Sequence, residues 1–180
     1  MLDLFKRKLF KIIFCLFVFI ALPFTILMLI GSQRYVYRAE VKINATAEII
    51  FPYLYTPEKF SVWQKGVKSL TPDRLEFNQP GDSATIILNS DEKNNTIPIT
   101  IVELDPSTHL ITASDSPVFK TQTIWKLEQF HDHSVLHQEA ICFYSGVGRF
   151  MAPFLTSKAE QQLRNDLFML RDTVERAQGN

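Results

Sequence analysis

The stretch Phe150–Ala177, FMAPFLTSKAEQQLRNDLFMLRDTVERA, decides how the rest of the chain is read. Set at about 100° per residue, Ala152, Thr156, Ala159, Leu163, Leu167, Leu170, Val174 and Ala177 fall in one narrow stripe, while Arg164, Asn165, Arg171, Asp172 and Glu175 fall elsewhere. That is an amphipathic helix that needs a cover. Its stripe is uneven, with small residues in the first half and large aliphatics in the second. Close packing is therefore expected at one end and spare room at the other. Phe168 and Met169 lie off the stripe; they mark a contact surface for lipid or a partner unless, as is the expectation, neighbouring loops cover them.

The segment just upstream supplies the cover. From Val67 to Tyr144 the sequence reads as strands separated by turn residues. The expected strands are Val67–Phe77, Ser83–Leu88, Thr96–Leu104, His109–Ala113, Lys120–Phe130 and Val135–Tyr144, with Gln79-Pro80-Gly81-Asp82, Asn89–Asn95, Asp105-Pro106-Ser107, Asp115-Ser116-Pro117 and His131-Asp132-His133 between them. Connections this short pair strands as antiparallel neighbours. Tyr35–Asn44 alternates Tyr37, Ala39, Val41 and Ile43 against Val36, Arg38, Glu40 and Lys42, which adds a seventh, half-buried strand. Residues 45–54 then read as a short helix with Glu48 in its first turn, and Thr56-Pro57 opens another that runs to Trp63.

This order predicts an α+β domain in which one long helix buries its stripe on the inner face of a curved seven-stranded antiparallel sheet. Phe77, Ile86, Leu88, Ile97, Ile99, Ile101, Trp125, Leu127 and Phe143 are the apolar side chains expected on that face.

Residues 12–31, IIFCLFVFIALPFTILMLIG, carry no charge and would span about 30 Å as a helix, the thickness of a hydrocarbon core. They read as an uncleaved transmembrane helix, because the run exceeds a usual signal h-region and Leu29 and Ile30 fit a cleavage site badly. Pro23 is tolerated within it. The expected organisation is a basic tail at 1–11, the membrane helix at 12–31 and a folded domain at 35–177. Lys6, Arg7, Lys8 and Lys11 before the helix, against Arg34, Arg38 and Lys42 after it, favour a single-pass topology with a cytoplasmic N-terminus. The domain is then periplasmic or otherwise extracytoplasmic.

The whole chain of 180 residues has a formal charge of zero. Without residues 1–32 it holds 15 basic and 18 acidic residues and no basic cluster with interleaved aromatics, which argues against nucleic-acid binding. Cys15 and Cys142, one inside the apolar run and one in the domain, read as free thiols.

Three groups of residues together resemble a known family. Val41–Ile50 (VKINATAEII) is similar to the opening of the START-like, polyketide cyclase/dehydrase superfamily, where a strand ending in Ile-Asn-Ala leads into a helix. Pro57–Trp63 resembles its second short helix with a tryptophan near the end, and Gly81-Asp82-Ser83-Ala84 the glycine that opens its third strand. The resemblance covers residues 35–177. It departs where Thr46 stands in place of a frequent proline, and where Asp82 and Ser83 replace a second small residue. It implies a helix-grip fold with a cavity between sheet and terminal helix for lipids, sterols, polyketides or other apolar ligands. Some bacterial members also carry an N-terminal membrane segment.

Fold alone does not supply function. The small positions Ala152, Thr156 and Ala159 leave room for a ligand facing Phe51, Tyr55, Trp125 and Phe143, with Thr121 and Thr123 as polar groups on the tryptophan's face. Alternatively, those aromatics fill the space themselves. His131-Asp132-His133 falls at a hairpin tip, where no further ligand converges, so no metal is expected. His137 and Glu139 share one face of the last strand and are the candidate acid–base pair, but their alternation with Gln138, Ala140 and Cys142 assigns them to the outer, solvated face. No catalytic triad, phosphate loop or Cys-x-x-Cys occurs, and no cofactor is implied. The expected function is a membrane-anchored module that binds a hydrophobic small molecule or lipid without covalent chemistry. The alternatives are an enzyme of the cyclase or dehydrase kind and a non-catalytic assembly partner with a filled cavity.

Overall fold

The computed structural model describes residues 2–89 and 95–179. Positions 90–94 of the expected polar connection and the side chains of Lys6 and Lys8 lie outside the described residues. The elements are α1 (Leu2–Ile30), β1 (Arg34–Ile43), α2 (Ala47–Ile50) continued by a 3-10 turn (Phe51–Leu54), α3 (Pro57–Trp63), β2 (Val67–Pro72), β3 (Ser83–Leu88), β4 (Thr96–Asp105), β5 (His109–Asp115), β6 (Phe119–Gln129), β7 (Ser134–Tyr144) and α4 (Gly148–Gln178). The seven strands form one sheet in the order β1-β7-β6-β5-β4-β3-β2, antiparallel throughout. Hairpins join β2 through β7 in sequence, and β1 closes the far side against β7.

The alternation read in the sequence sets the register. Tyr37, Ala39, Val41 and Ile43 of β1 share a face with Leu136, Gln138 and Ala140 of β7 and with Thr123, Trp125 and Leu127 of β6. In β4 a bulge between Ile101 and Glu103 keeps Ile101 and Leu104 on that inner side. A bulge of this kind bends its strand and helps a long sheet to curl.

Two layers cover the inner face. The large half of the α4 stripe, Leu167, Leu170 and Val174, is fully buried and packs chiefly along β1. Phe51, Leu54, Phe60 and Trp63 from the short helices close the opposite side with Phe77. Strand β2 ends at Pro72, earlier than the sequence suggested, because the chain then leaves the sheet for a loop that carries Phe77 into the core.

Local caps differ from their sequence signals. Thr56 stands at the N-cap of α3 in extended conformation, but its side chain makes no capping bond. At α2 the backbone N–H of Ala47 donates instead to Gln129 Oε1 of β6 at 3.1 Å, a cap from a distant strand. Next to it, the buried Ser134 hydroxyl donates to the Ala45 carbonyl at 2.8 Å. Ser134→Ala strands that carbonyl away from water, so equilibrium urea unfolding is expected to register a loss of about 1–2 kcal/mol.

Helix α1 begins at Leu2, so the basic segment is continuous with the apolar one. Its stretch Phe10–Ile30 has a mean hydropathy of 2.9 and is long enough to cross a membrane. Side chains along it are exposed, unlike those of a soluble core helix.

Candidate functional site

The inner face is not uniformly apolar. Where β5, β6 and β7 run towards β1, paired rows place Thr112 beside Thr123, Ala140 and Tyr37, and Ser114 beside Thr121, Cys142 and Tyr35. The next row brings Leu110, Trp125, Gln138 and Ala39 together. Gln138 is 7% exposed, and its Oε1 has no hydrogen-bond partner; Ser114 Oγ is likewise buried and unpaired. A buried carbonyl oxygen without a donor costs about 1–3 kcal/mol, so each such atom calls for an explanation.

Three tyrosines border this patch. Tyr37 and Tyr144 approach hydroxyl to hydroxyl at 3.3 Å, and the Tyr35 ring meets Tyr144 edge-on at 5.5 Å. Burial and the neighbouring Tyr37 push the Tyr144 pKa upward, so the phenol stays protonated and available as a donor. Burial raises the Cys142 thiol as well, against a contact of 3.5 Å with Thr121 Oγ1. A thiol held neutral is a poor nucleophile.

Ala159 and Leu163 of α4 pack against Tyr37, Ala140 and Cys142. The small half of the helix stripe therefore faces the polar patch, and its large half faces the apolar core.

The nine residues singled out in the sequence occupy three places. Thr121, Thr123, Ala152, Thr156 and Ala159 belong to the end where α4 begins. Phe51, Tyr55 and Trp125 belong to the other end, where Phe51 packs on Tyr55 at 5.9 Å and Trp125 on Trp63 at 6.0 Å. Phe143 belongs to neither. It pairs with Arg34 and Lys120 on the outer face and is 49% exposed, because β7 points its even-numbered residues inward. A side chain of opposite parity cannot share a cavity with Trp125. Gln138, Thr112, Ser114 and the tyrosines were not singled out, although the same parity rule points to them.

His137 and Glu139 do lie on the outer face. Glu139 accepts from Arg38 Nε at 2.6 Å, and His137 Nδ1 stands 3.2 Å from Glu40. Around the β1 edge these residues join Lys126, Arg164 and Phe168 in an open groove of about 640 Å³. Loops do not cover Phe168 and Met169, which are each close to half exposed, and Arg171 lies over the Phe168 ring. His131, Asp132 and His133 occupy the β6–β7 turn, where the His133 ring stacks on Phe130.

No protein-family model matches the sequence, and comparison with curated proteins finds none that matches. Solved structures do match. The di-domain aromatase/cyclase StfQ from the steffimycin biosynthetic pathway superposes with a TM-score of 0.65 at 13% identity over 84% of this chain, which spans 54% of that longer protein. The Zhui aromatase/cyclase of Streptomyces gives 0.63 at 13% identity, covering 80% of this chain and 95% of that one. The chain has the helix-grip fold. Ara h 8.0201 carries the same architecture, with a TM-score of 0.62 at 14% identity over 79% of this chain and 98% of its own. At these identities the fold is common ground and the chemistry of each inner face is its own.

Proposed function

We propose that this helix-grip domain binds an apolar small molecule or lipid that carries one polar group, and that it catalyses no covalent step. The observation that carries the reading is the unpartnered Oε1 of Gln138 on the inner face. It stands in the row of Leu110, Trp125 and Ala39, one row from the Thr112 and Thr123 hydroxyls. A ligand donor that meets this oxygen would relieve a buried deficit, while its apolar body would lie between Ala152, Thr156, Ala159 and the ring of Trp125. Phe51 and Tyr55 would bound the far end.

Helix α1 would serve as an uncleaved membrane anchor with its N-terminus in the cytoplasm and the domain outside. Tethering would let the ligand reach the domain without crossing bulk water. The enzyme alternative lacks an activated group at this patch: the acid–base pair His137 and Glu139 is on the outer face, and Cys142 is held neutral.

Gln138→Met separates the readings. An apolar residue of similar length removes the unpaired oxygen, so the empty protein is expected to gain about 1 kcal/mol in denaturant unfolding. The same change should lower, tenfold or more, the amount of apolar ligand extracted with the purified full chain and counted by mass spectrometry. Loss of stability on this substitution would mean that Gln138 is a structural group. A wild-type extract without any reproducible small molecule would defeat the binding reading.

A further inference from the structure

The start of α4 carries apolar side chains that neither sheet nor core takes up. Val147 is 76% exposed and Phe154 61%, while Phe150 and Met151 remain open beside them and Val118 adds a fifth apolar side chain from the β5–β6 turn. Gly148 places the helix start hard against that turn. A Cβ there would come within 2.3 Å of the Val118 carbonyl oxygen. The five form one apolar collar at the end of the domain from which α1 departs.

The collar is continuous with α1. The Phe150 ring stacks on Phe24 at 5.6 Å, and Gly31 lies so close to the Arg149 backbone that an added Cβ would stand 1.7 Å from its carbonyl oxygen. Tyr35 at the start of β1 donates its hydroxyl to the Ile30 carbonyl at 3.2 Å, which ties the end of α1 to the sheet as well. Phe24 lies six residues inside the apolar stretch that ends at Ile30, about 9 Å along a helix. A ring stacked on it cannot be in water if α1 is in the bilayer.

We infer that Val147–Phe154, the first turns of α4, are a second membrane element that dips beside α1 into the outer part of the bilayer, so that lipid is the partner of the collar. This inference rests on the anchor reading of α1. Arg149 Nε bonds the Tyr144 carbonyl at 3.2 Å, and Arg34 begins β1 at the same end. Both cations are placed for phosphate headgroups while Phe150, Met151 and Phe154 enter the acyl region. The polar patch of the inner face lies at this end too, since its Ser114, Thr121, Cys142 and Tyr35 row is near the start of α4 and the Tyr144 that Arg149 holds. A lipid leaving the bilayer along α4 would thus meet Thr156 and Ala159 first.

Tryptophan quenching by brominated lipid tests this. Full-length protein carrying Phe154→Trp, Phe19→Trp or Phe130→Trp is reconstituted into phosphatidylcholine vesicles with dibrominated acyl chains, and emission is compared with the same vesicles without bromine. The wild-type signal of Trp63 and Trp125 is subtracted as background. Phe19 lies within α1, and Phe130 is an exposed residue at the β6–β7 turn. The inference expects at least half of the emission of the tryptophans at positions 154 and 19 to be quenched, and that at 130 to be unaffected. Quenching at 19 without quenching at 154 overturns the second membrane element and leaves the anchor standing. Absence of quenching at 19 overturns the anchor and this inference with it.

Discussion

Trp63→Ala is expected to cost about 3–5 kcal/mol of folding stability, the largest loss of any single truncation outside the long helix. Trp63 is 1% exposed at the end of α3 and joins three parts of the inner layer. Its ring meets Trp125 of β6 edge-on at 6.0 Å and Phe60 of its own helix at 5.7 Å, while its Nε1 donates to the Tyr53 carbonyl at 2.8 Å. Truncation opens a large cavity between the short helices and the sheet and leaves the Tyr53 carbonyl unpaired. Trp63→Phe keeps most of the ring and loses only the hydrogen bond, so about 1–2 kcal/mol is expected. Denaturant unfolding followed by circular dichroism compares the two. Equal losses would mean that the indole N–H, and not the packed ring, holds this end together. Since Trp63, Trp125, Phe51 and Phe60 fill the space here, the α2–α3 end is solid.

Much of this was legible in the residues because periodicity is a local property. Thr96, His109 and Ser83 begin their strands where the turn residues before them say, and the sheet order follows from short connections. Leu167, Leu170 and Val174 are buried as the stripe requires. Asp166 is buried at the edge of the stripe, where a charged residue would not be expected from its type, and Lys65 just beyond α3 approaches it there. Its charge, and not its position on the helix, is what hides it in the sequence, since the partner comes from residue 65. Phe143 was a different kind of error. Its apolar character suggested the core, yet the alternation that puts His137 and Glu139 outside also puts Phe143 outside. Parity outranks hydrophobicity on a strand, since an outer apolar residue costs little and a register slip would turn Leu136 and Gln138 outward with it. The aromatic collar at Val147–Phe154 was hidden for a third reason. Its meaning depends on the stack of Phe150 against Phe24, more than 120 residues earlier in the chain.

Asp166 gives the protein a pH dependence whose direction runs against the usual behaviour of carboxylates. Burial lifts its pKa from the ordinary 3.8 to about 6, and the Lys65 backbone N–H, the Gln162 amide at 2.7 Å and the Lys65 charge offset only part of that. The folded state therefore holds the proton more tightly than the unfolded state does. Below about pH 4 both states are protonated and the group costs nothing; as pH rises from 4 through 6 the folded protein must either keep a proton that the unfolded chain has lost or bury a charge. Stability contributed by this site is thus full in acid and lost by neutral pH, by on the order of 3 kcal/mol for a shift of this size. Asp166→Asn is neutral at every pH and can still accept from the Lys65 backbone. It is expected to match the wild type near pH 4, to exceed it by about 2–3 kcal/mol at pH 7.5, and to remove the slope between. Urea unfolding of both proteins across that range is the measurement. A wild type whose stability rises from pH 4 to 7 relative to the asparagine variant would show that Lys65 outweighs burial and that the carboxylate is charged in the folded protein.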